Sequence, residues 1–107
     1  EFEKALKANA ADYYMFDVQR IAGVSGWLAA VSLPEAASIP VSTHLFPEIS
    51  IHFMAATENA HWLEYVDWAS PVIREPTVVS GGKVQVPTAV GNGIAWNNEA
   101  VARYRVE

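Results

Sequence analysis

Three ionisable residues with complementary chemistry follow three short apolar segments of this 107-residue chain: Asp17, His44 and Glu64. Each stands at the carboxyl end of a predicted strand, which is the edge where parallel α/β folds bind their ligands. A carboxylate beside an imidazole fixes the tautomer of the ring and raises its basicity, so Asp17 and His44 can work together as a general base. Glu64 can supply a hydrogen bond or a proton if its surroundings keep it protonated. The alternative is that all three are ordinary polar residues at the points where strands give way to loops.

The elements that would position these residues alternate between helix and strand. Short apolar runs predict the strands, and apolar spacing or Ala and Leu content predicts the helices. Strands are predicted at 13–16, 39–43 and 62–66, and helices at 1–11, 27–38 and 47–56. This alternation is typical of βα units around a parallel sheet, and it predicts an α/β fold.

Some local features sharpen this prediction. Residues 13–16 are apolar on both faces, which predicts a strand covered on both sides. The small residues of 23–26 predict a loop before the second helix. Pro34 lies within that helix, where proline costs about 3 kcal/mol, so we expect a kink or a helix that restarts near Leu33.

After residue 67 the pattern changes to turns and short segments. The Gly-Gly pair within 78–84 predicts a hairpin, because glycine supplies the positive φ of a tight turn. The Gly-Asn-Gly sequence at 91–93 predicts a turn, since it lacks the strand and helix that flank a phosphate-binding loop. A short helix is predicted at 97–104, with Asn97 or Asn98 as its N-cap.

Composition excludes several classes of function. With 51% apolar and 18% charged residues, the chain is too hydrophobic to be a disordered tail. The net charge is −5 and the seven basic residues are scattered, which argues against nucleic-acid binding. The uncharged stretch 21–34 is too short to span a bilayer, so no membrane partner is expected. Cysteine is absent, which excludes disulfides and thiolate chemistry, and a cytoplasmic location is expected.

The remaining candidate residues are better explained by structure than by chemistry. Glu48 and His52 stand four residues apart on a predicted helix, and without a third ligand they are expected to form a surface pair. His61 is expected to be packed or half-exposed at a strand start. The four tryptophans are expected in the core or an interface: Trp27, Trp62, Trp68 and Trp96.

Three segments surround the candidate residues: DVQRIAGVSGW at 17–27, STHLFPEISIH at 42–52 and AHWLEYVDW at 60–68. They closely resemble the C-terminal part of the mandelate racemase group of the enolase superfamily. The steps of 27 and 20 residues between the three candidates suit the sixth, seventh and eighth strands of that family. The resemblance continues through 84–87, 91–94 and the last helix, and so covers essentially the whole chain.

The resemblance implies a role for each candidate. Asp17 would be the partner aspartate of a His–Asp dyad, His44 the general base, and Glu64 the acid that hydrogen-bonds the developing enediolate. The reaction would be abstraction of the proton α to a carboxylate, assisted by Mg²⁺. The substrate would be a small carboxylate, either a 2-hydroxy acid for a racemase or an acid sugar for a dehydratase.

The resemblance assigns no metal ligand to this chain, because the family's metal-binding acids lie on earlier strands. Asp12, Glu48 and Asp67 are not expected to replace them, since Mg²⁺ needs convergent oxygens in near-octahedral geometry. The chain also departs from the family pattern in places. Ala22 stands where the family usually has the first glycine of a Gly-Gly pair, and Val90 replaces a proline.

The expected fold is therefore α/β: the C-terminal portion of an enolase-type (β/α)₈ TIM barrel, about strands 6 to 8, with a C-terminal hairpin and tail. Residues 1–76 are expected to form the last three βα units, and residues 77–107 a hairpin, loop and helix that return toward a capping domain. Such barrels alone need about 250 residues, so we expect a piece of a longer enzyme.

A different class of function remains open. In this alternative the chain is a non-catalytic barrel portion, inactive alone. An open sheet has unpaired edges that recruit another chain, so self-association or packing with the rest of the barrel is expected.

Overall fold

The computed structural model describes residues 1–106. In chain order the elements are α1 (Phe2–Lys7), β1 (Tyr14–Phe16), α2 (Gly23–Ala36), β2 (Val41–Thr43), α3 (Pro47–Ala55), a 3-10 turn (Ser70–Val72), β3 (Val79–Ser80), β4 (Lys83–Val84) and α4 (Asn98–Arg103). The predicted alternation of helix and strand is confirmed up to α3. The first helix is shorter than expected, and α3 has nearly the predicted bounds.

The strands β1 and β2 form a parallel pair, as predicted. Their register opposes Tyr14 to Val41 and Phe16 to Thr43. The predicted third strand at 62–66 is wrong as a regular strand, because beyond an isolated parallel bridge between Val41 and Ala60 the ladder does not continue. The chain nevertheless runs beside β2 through this region, held by hydrogen bonds that include hydroxyl acceptors.

The core lies on one face of this sheet. Phe16, Trp27 and Val41 are fully buried, and Phe53 is nearly so. The Trp27 indole stacks on Phe53 with ring centroids 5.1 Å apart and meets Phe16 edge-on at 5.5 Å. Its Nε1–H donates to Thr57 Oγ1 at 3.1 Å, which satisfies the only polar atom of the buried ring.

The opposite face of the sheet is open, so the prediction that 13–16 is covered on both sides is wrong for this chain. Tyr13 is 58% exposed and Met15 is 51% exposed. Side chains alternate between the faces of a strand, and α1, α2 and α3 all contribute to the same core cluster on the Tyr14 face. In a complete barrel the open face would be the interior, which is filled by side chains from several strands.

The helix α2 begins earlier than expected and does not restart. The loop predicted at 23–26 is instead its first turn, preceded by Ala22 in the left-handed conformation with φ 65°. The helix also continues through Pro34 to Ala36. Pro34 is fully buried and lies in the last turn, so a single lost hydrogen bond is offset by burial of the ring.

The C-terminal elements match their sequence signals. Gly81 and Gly82 have φ values of 56° and 74°, as a two-residue hairpin turn requires, and they join β3 to β4. Asn97 is the N-cap of α4, with its side chain accepting the N–H of Ala100. Backbone bonds from Arg74 to Ala95 and from Asn97 to Val72 tie this tail to the 3-10 turn region. Among residues 1–106 there is no helix with the length and apolar character to cross a membrane.

Candidate active site

The register of β1 and β2 brings Asp17 and His44 together. Phe16 and Thr43 are the last paired residues, so the next positions in the same register face each other just beyond the carboxyl ends of the strands. The His44 backbone N–H donates to the Phe16 carbonyl at 2.8 Å, which keeps the two strands hydrogen-bonded at their carboxyl ends. As a result His44 Nδ1 lies 2.9 Å from Asp17 Oδ2.

The carboxylate of Asp17 is held by several donors. Its Oδ1 accepts the backbone N–H of Gln19 at 2.8 Å and of Arg20 at 3.3 Å, and the Arg20 guanidinium lies 3.6 Å from Oδ2. Burial of the side chain, 11% exposed, by itself raises the pKa of Asp17. The hydrogen bonds from His44, Gln19 and Arg20, together with the charge of His44, outweigh burial and hold the pKa below its ordinary value. Asp17 is therefore an ionised acceptor at neutral pH.

An ionised Asp17 assigns the tautomer of His44. A carboxylate only accepts hydrogen bonds, so His44 Nδ1 carries the proton that it donates to Oδ2. Nε2 of the neutral ring then has a free lone pair. The His44 side chain is 39% exposed, so it is accessible from the open face. The arrangement can take a proton at Nε2 while Asp17 stabilises the imidazolium that forms.

Glu64 is hydrogen-bonded to the two residues that flank His44. Glu64 Oε2 accepts the N–H of Leu45 at 2.6 Å, and the Glu64 N–H donates to Thr43 Oγ1 at 2.9 Å. The three predicted residues thus lie together at the carboxyl end of the sheet. Sequence reasoning missed Thr43 and Leu45. Thr43 could have been found from the sequence, because it carries a hydroxyl directly before His44. Leu45 could not, because it contributes only its backbone amide, which every residue except proline has.

The other histidines have different surroundings. His52 Nε2 donates to the carbonyl of Asn92 at 2.9 Å, joining α3 to the turn at 91–93. Within residues 1–106 no ion pair joins His52 to Glu48, so the expected surface pair is wrong. The exposed His61 ring stacks on Tyr13 at 5.0 Å. Of the tryptophans, Trp27 is in the core, and the rest are more than half exposed: Trp62, Trp68 and Trp96.

Residues 1–106 do not bring metal-ligating side chains together. The described residues contain no cluster of three or more His, Cys, Asp or Glu side chains that would hold an ion. Two cavities of about 780 and 740 Å³ lie against the β3–β4 hairpin and against α4, and neither is lined by Asp17, His44 or Glu64.

A parallel strand pair, helices packed on one face, and titratable side chains at the carboxyl edge together are typical of a parallel α/β fold. The family model described as enolase C-terminal domain-like matches residues 1–101. The chain belongs to this family. The resemblance to mandelate racemase-like members of the enolase superfamily is confirmed at this level, and so is the TIM-barrel class of the fold.

Three similar proteins illustrate the relation. The structure of an enolase from alpha pretobacterium bal199 with bound magnesium is 46% identical with a TM-score of 0.89, over 94% of this chain and 28% of that one. An enolase from Bradyrhizobium complexed with magnesium and mandelic acid is 42% identical with a TM-score of 0.90, over 99% of this chain and 29% of that one. L-talarate/galactarate dehydratase from Salmonella typhimurium is 26% identical over 94% of this chain and 25% of its own length. The chain thus spans between a quarter and three tenths of these proteins.

Proposed function

We propose that this chain supplies the acid–base part of an enolase-superfamily active site, in which Asp17 and His44 abstract the proton α to a substrate carboxylate. The observation that carries the proposal is the 2.9 Å contact between His44 Nδ1 and Asp17 Oδ2 at the carboxyl ends of paired parallel strands. Asp17 fixes the tautomer and orientation of the ring, and Nε2 of His44 receives the proton. Glu64, in its protonated form, donates a hydrogen bond to the oxygen on which negative charge develops.

The difficulty of this reaction explains why these roles are needed together. A proton α to a carboxylate is weakly acidic, because its removal adds charge beside an existing anion. The Mg²⁺ bound in the related structures supplies charge stabilisation there. The described residues of this chain do not fit a Mg²⁺ site, so no step proposed here uses an ion held by them. Their part is confined to moving the proton and hydrogen-bonding the anion that forms when the proton leaves.

The substrate is proposed to be a small carboxylate, either a 2-hydroxy acid or an acid sugar. Mandelic acid in the Bradyrhizobium structure and the activity named for the Salmonella relative support these two classes. Racemisation and dehydration begin with the same proton abstraction, so the dyad is compatible with both. We also propose residues 1–76 as the barrel part, residues 77–107 as the returning segment, and the cytoplasm as the location, the last from the cysteine-free sequence.

The test places the chain in a complete barrel. In a chimera, this chain replaces the matching segment of the Bradyrhizobium relative, and α-proton exchange into D₂O is followed by NMR with mandelate, galactarate and gluconate. We expect exchange with at least one of these acids. His44→Asn should lower its rate at least about 10³-fold, and Asp17→Asn by about 10²–10⁴-fold, because the base or its tautomer is lost. Magnesium affinity should be nearly unchanged in both variants.

A matched control uses the same substitution at another histidine. His52→Asn removes a ring that contacts the carbonyl of Asn92 and none of the three candidate residues, and it should leave the exchange rate within about twofold. Exchange that survives His44→Asn, or metal affinity lost with it, would contradict the assigned roles. Exchange by the chain alone would contradict the proposal that the rest of the barrel is needed.

A second function is favoured by the open face of the sheet. Tyr13 and Met15 are both more than half exposed there, and apolar area of this kind is covered in stable assemblies. In this alternative the chain alone is a non-catalytic barrel portion that self-associates or packs with the rest of its barrel. Sedimentation should then show a species larger than 11.7 kDa, whereas a folded monomer would contradict it.

A further inference from the structure

The ladder between β2 and the following segment is interrupted beside the candidate site. Val41 makes both bonds of a regular parallel bridge, donating to Asn59 O at 3.0 Å and accepting from His61 N at 2.8 Å. Two residues further on, the same register would direct the Thr43 N–H to the carbonyl of His61. It donates instead to the carbonyl of Trp62 at 3.0 Å, so the segment contains one extra residue at this point.

The side chain of Thr43 accepts a hydrogen bond from the following segment at the point where the extra residue interrupts the backbone ladder. The backbone N–H of Glu64 finds its acceptor in Thr43 Oγ1 at 2.9 Å. Thr43 is fully buried, so its hydroxyl has a fixed environment and a single rotamer is favoured by packing. The position of Glu64 along the sheet edge is therefore set by a side-chain bond.

The side chain of Glu64 is hydrogen-bonded to the turn that follows His44. It accepts the Leu45 N–H at 2.6 Å, a short hydrogen bond. Leu45 and Phe46 both have left-handed φ values, 57° and 48°, and two consecutive non-glycine residues in this region are strained. The bond to Glu64 and the bond from Ser50 Oγ to the Leu45 carbonyl at 2.9 Å hold this strained turn, which directly follows His44.

We propose that Thr43 is a positioning residue for the candidate site. Its hydroxyl fixes the backbone of Glu64, so that the Glu64 carboxyl group reaches the Leu45 amide and the turn after His44 keeps its conformation. The inference rests on the proposed function for the roles of His44 and Glu64. The two-bond link itself, from Thr43 Oγ1 through Glu64 to Leu45 N, can be tested without turnover.

The test uses the Leu45 amide proton as a reporter. The chain has five leucines and a single His-Leu pair, so labelling with ¹³C-histidine and ¹⁵N-leucine identifies the Leu45 resonance uniquely, even in a self-associated sample. In the unmodified chain we expect a downfield Leu45 amide that exchanges slowly with solvent, and a nuclear Overhauser contact between Thr43 Hβ and the Glu64 amide. Glu64→Gln gives the reference position for an amide acceptor in place of the carboxyl group.

Thr43→Val removes only the hydroxyl. We expect the Leu45 resonance to move upfield, at least as far as in Glu64→Gln, and its exchange to accelerate about tenfold, as the loss of one hydrogen bond predicts. Thr43→Ser keeps the hydroxyl and should restore both values. Ser42→Ala is the matched control, because Ser42 Oγ makes only a 3.4 Å contact with Trp62 N.

The outcomes separate the two proposals. A Leu45 resonance unchanged in Thr43→Val, or shifted equally in Ser42→Ala, would overturn the positioning role. If Thr43→Val does not fold, the Overhauser contact and the Thr43→Ser spectrum decide, and a missing contact overturns the inference. If the Leu45 resonance responds to Thr43→Val as expected but His44→Asn has no effect on proton exchange, the link from Thr43 through Glu64 to Leu45 is supported and the proposed function is refuted.

Discussion

Gly26 lies where a side chain has no room, and its replacement tests how α2 supports the loop that holds Asp17. A Cβ atom at this position would be 1.3 Å from the carbonyl oxygen of Ile21 and 2.5 Å from its carbonyl carbon. Both are backbone atoms, so no change of rotamer relieves the overlap. A carbon and an oxygen attract only beyond about 3.2 Å, so the helix and the loop would have to separate by about 2 Å.

Such a separation breaks identifiable bonds. The turn from Asp17 into α2 is closed by Gly23 N donating to Val18 O at 2.9 Å and by Ile21 N donating to Asp17 O at 3.1 Å. Each is worth about 1 kcal/mol net, and the buried packing of Trp27 beside them is disturbed as well. We expect Gly26→Ala to lower the free energy of unfolding by about 3–5 kcal/mol, a large part of the 5–15 kcal/mol typical of a domain.

The assay is urea unfolding at a fixed protein concentration, followed by tryptophan fluorescence and by far-UV circular dichroism. With a slope of about 1–1.5 kcal/mol per molar urea, the midpoint should fall by at least about 2 M. Ser25→Ala is the control, since Ser25 is exposed in the same helical turn and its replacement should change stability by less than about 0.5 kcal/mol. A Gly26→Ala midpoint within experimental error of the unmodified chain would refute the reasoning.

Three further predictions test the backbone, the tail and the dyad. Ala22→Gly should stabilise the chain by about 0.5–1 kcal/mol, because the relief of a left-handed φ exceeds the entropy that glycine adds to the unfolded state; a lower urea midpoint would contradict this. Asn97→Ala removes the N-cap and should weaken α4 by about 1 kcal/mol, seen as faster amide exchange in α4 but not in α2, whereas Asn98→Ala should have a much smaller effect. The pKa of Asp17 is lower in the folded than in the unfolded state, where it is about 3.8, so its carboxylate stabilises the fold above about pH 4 and this contribution is lost as the pH falls through the folded pKa. The difference in unfolding free energy between the unmodified chain and Asp17→Asn should therefore shrink between about pH 6 and pH 3, and a constant difference would argue against it.

Local signals in the sequence predicted the parts of the fold that depend on neighbouring residues. The Gly-Gly pair predicts the β3–β4 turn because only positive φ values close it, and Asn97 predicts the start of α4 because its side chain replaces a missing acceptor. The same local reasoning failed at Pro34, where burial of the ring decided the outcome, and at 23–26, where α2 begins after a left-handed Ala22.

The sequence by itself determined that Asp17 and His44 stand at the carboxyl ends of two parallel strands, and it placed Glu64 at the same edge although the strand predicted at 62–66 is not regular. It also determined the family, because the segments around them are distinctive. Only the tertiary structure decided that one face of the sheet is open in this chain, and that a hydroxyl on Thr43 and the amide of Leu45 hold Glu64 in place. The physical reason is that residue types fix local conformation, whereas bonds between residues about 20 apart depend on a backbone register that a single extra residue can shift.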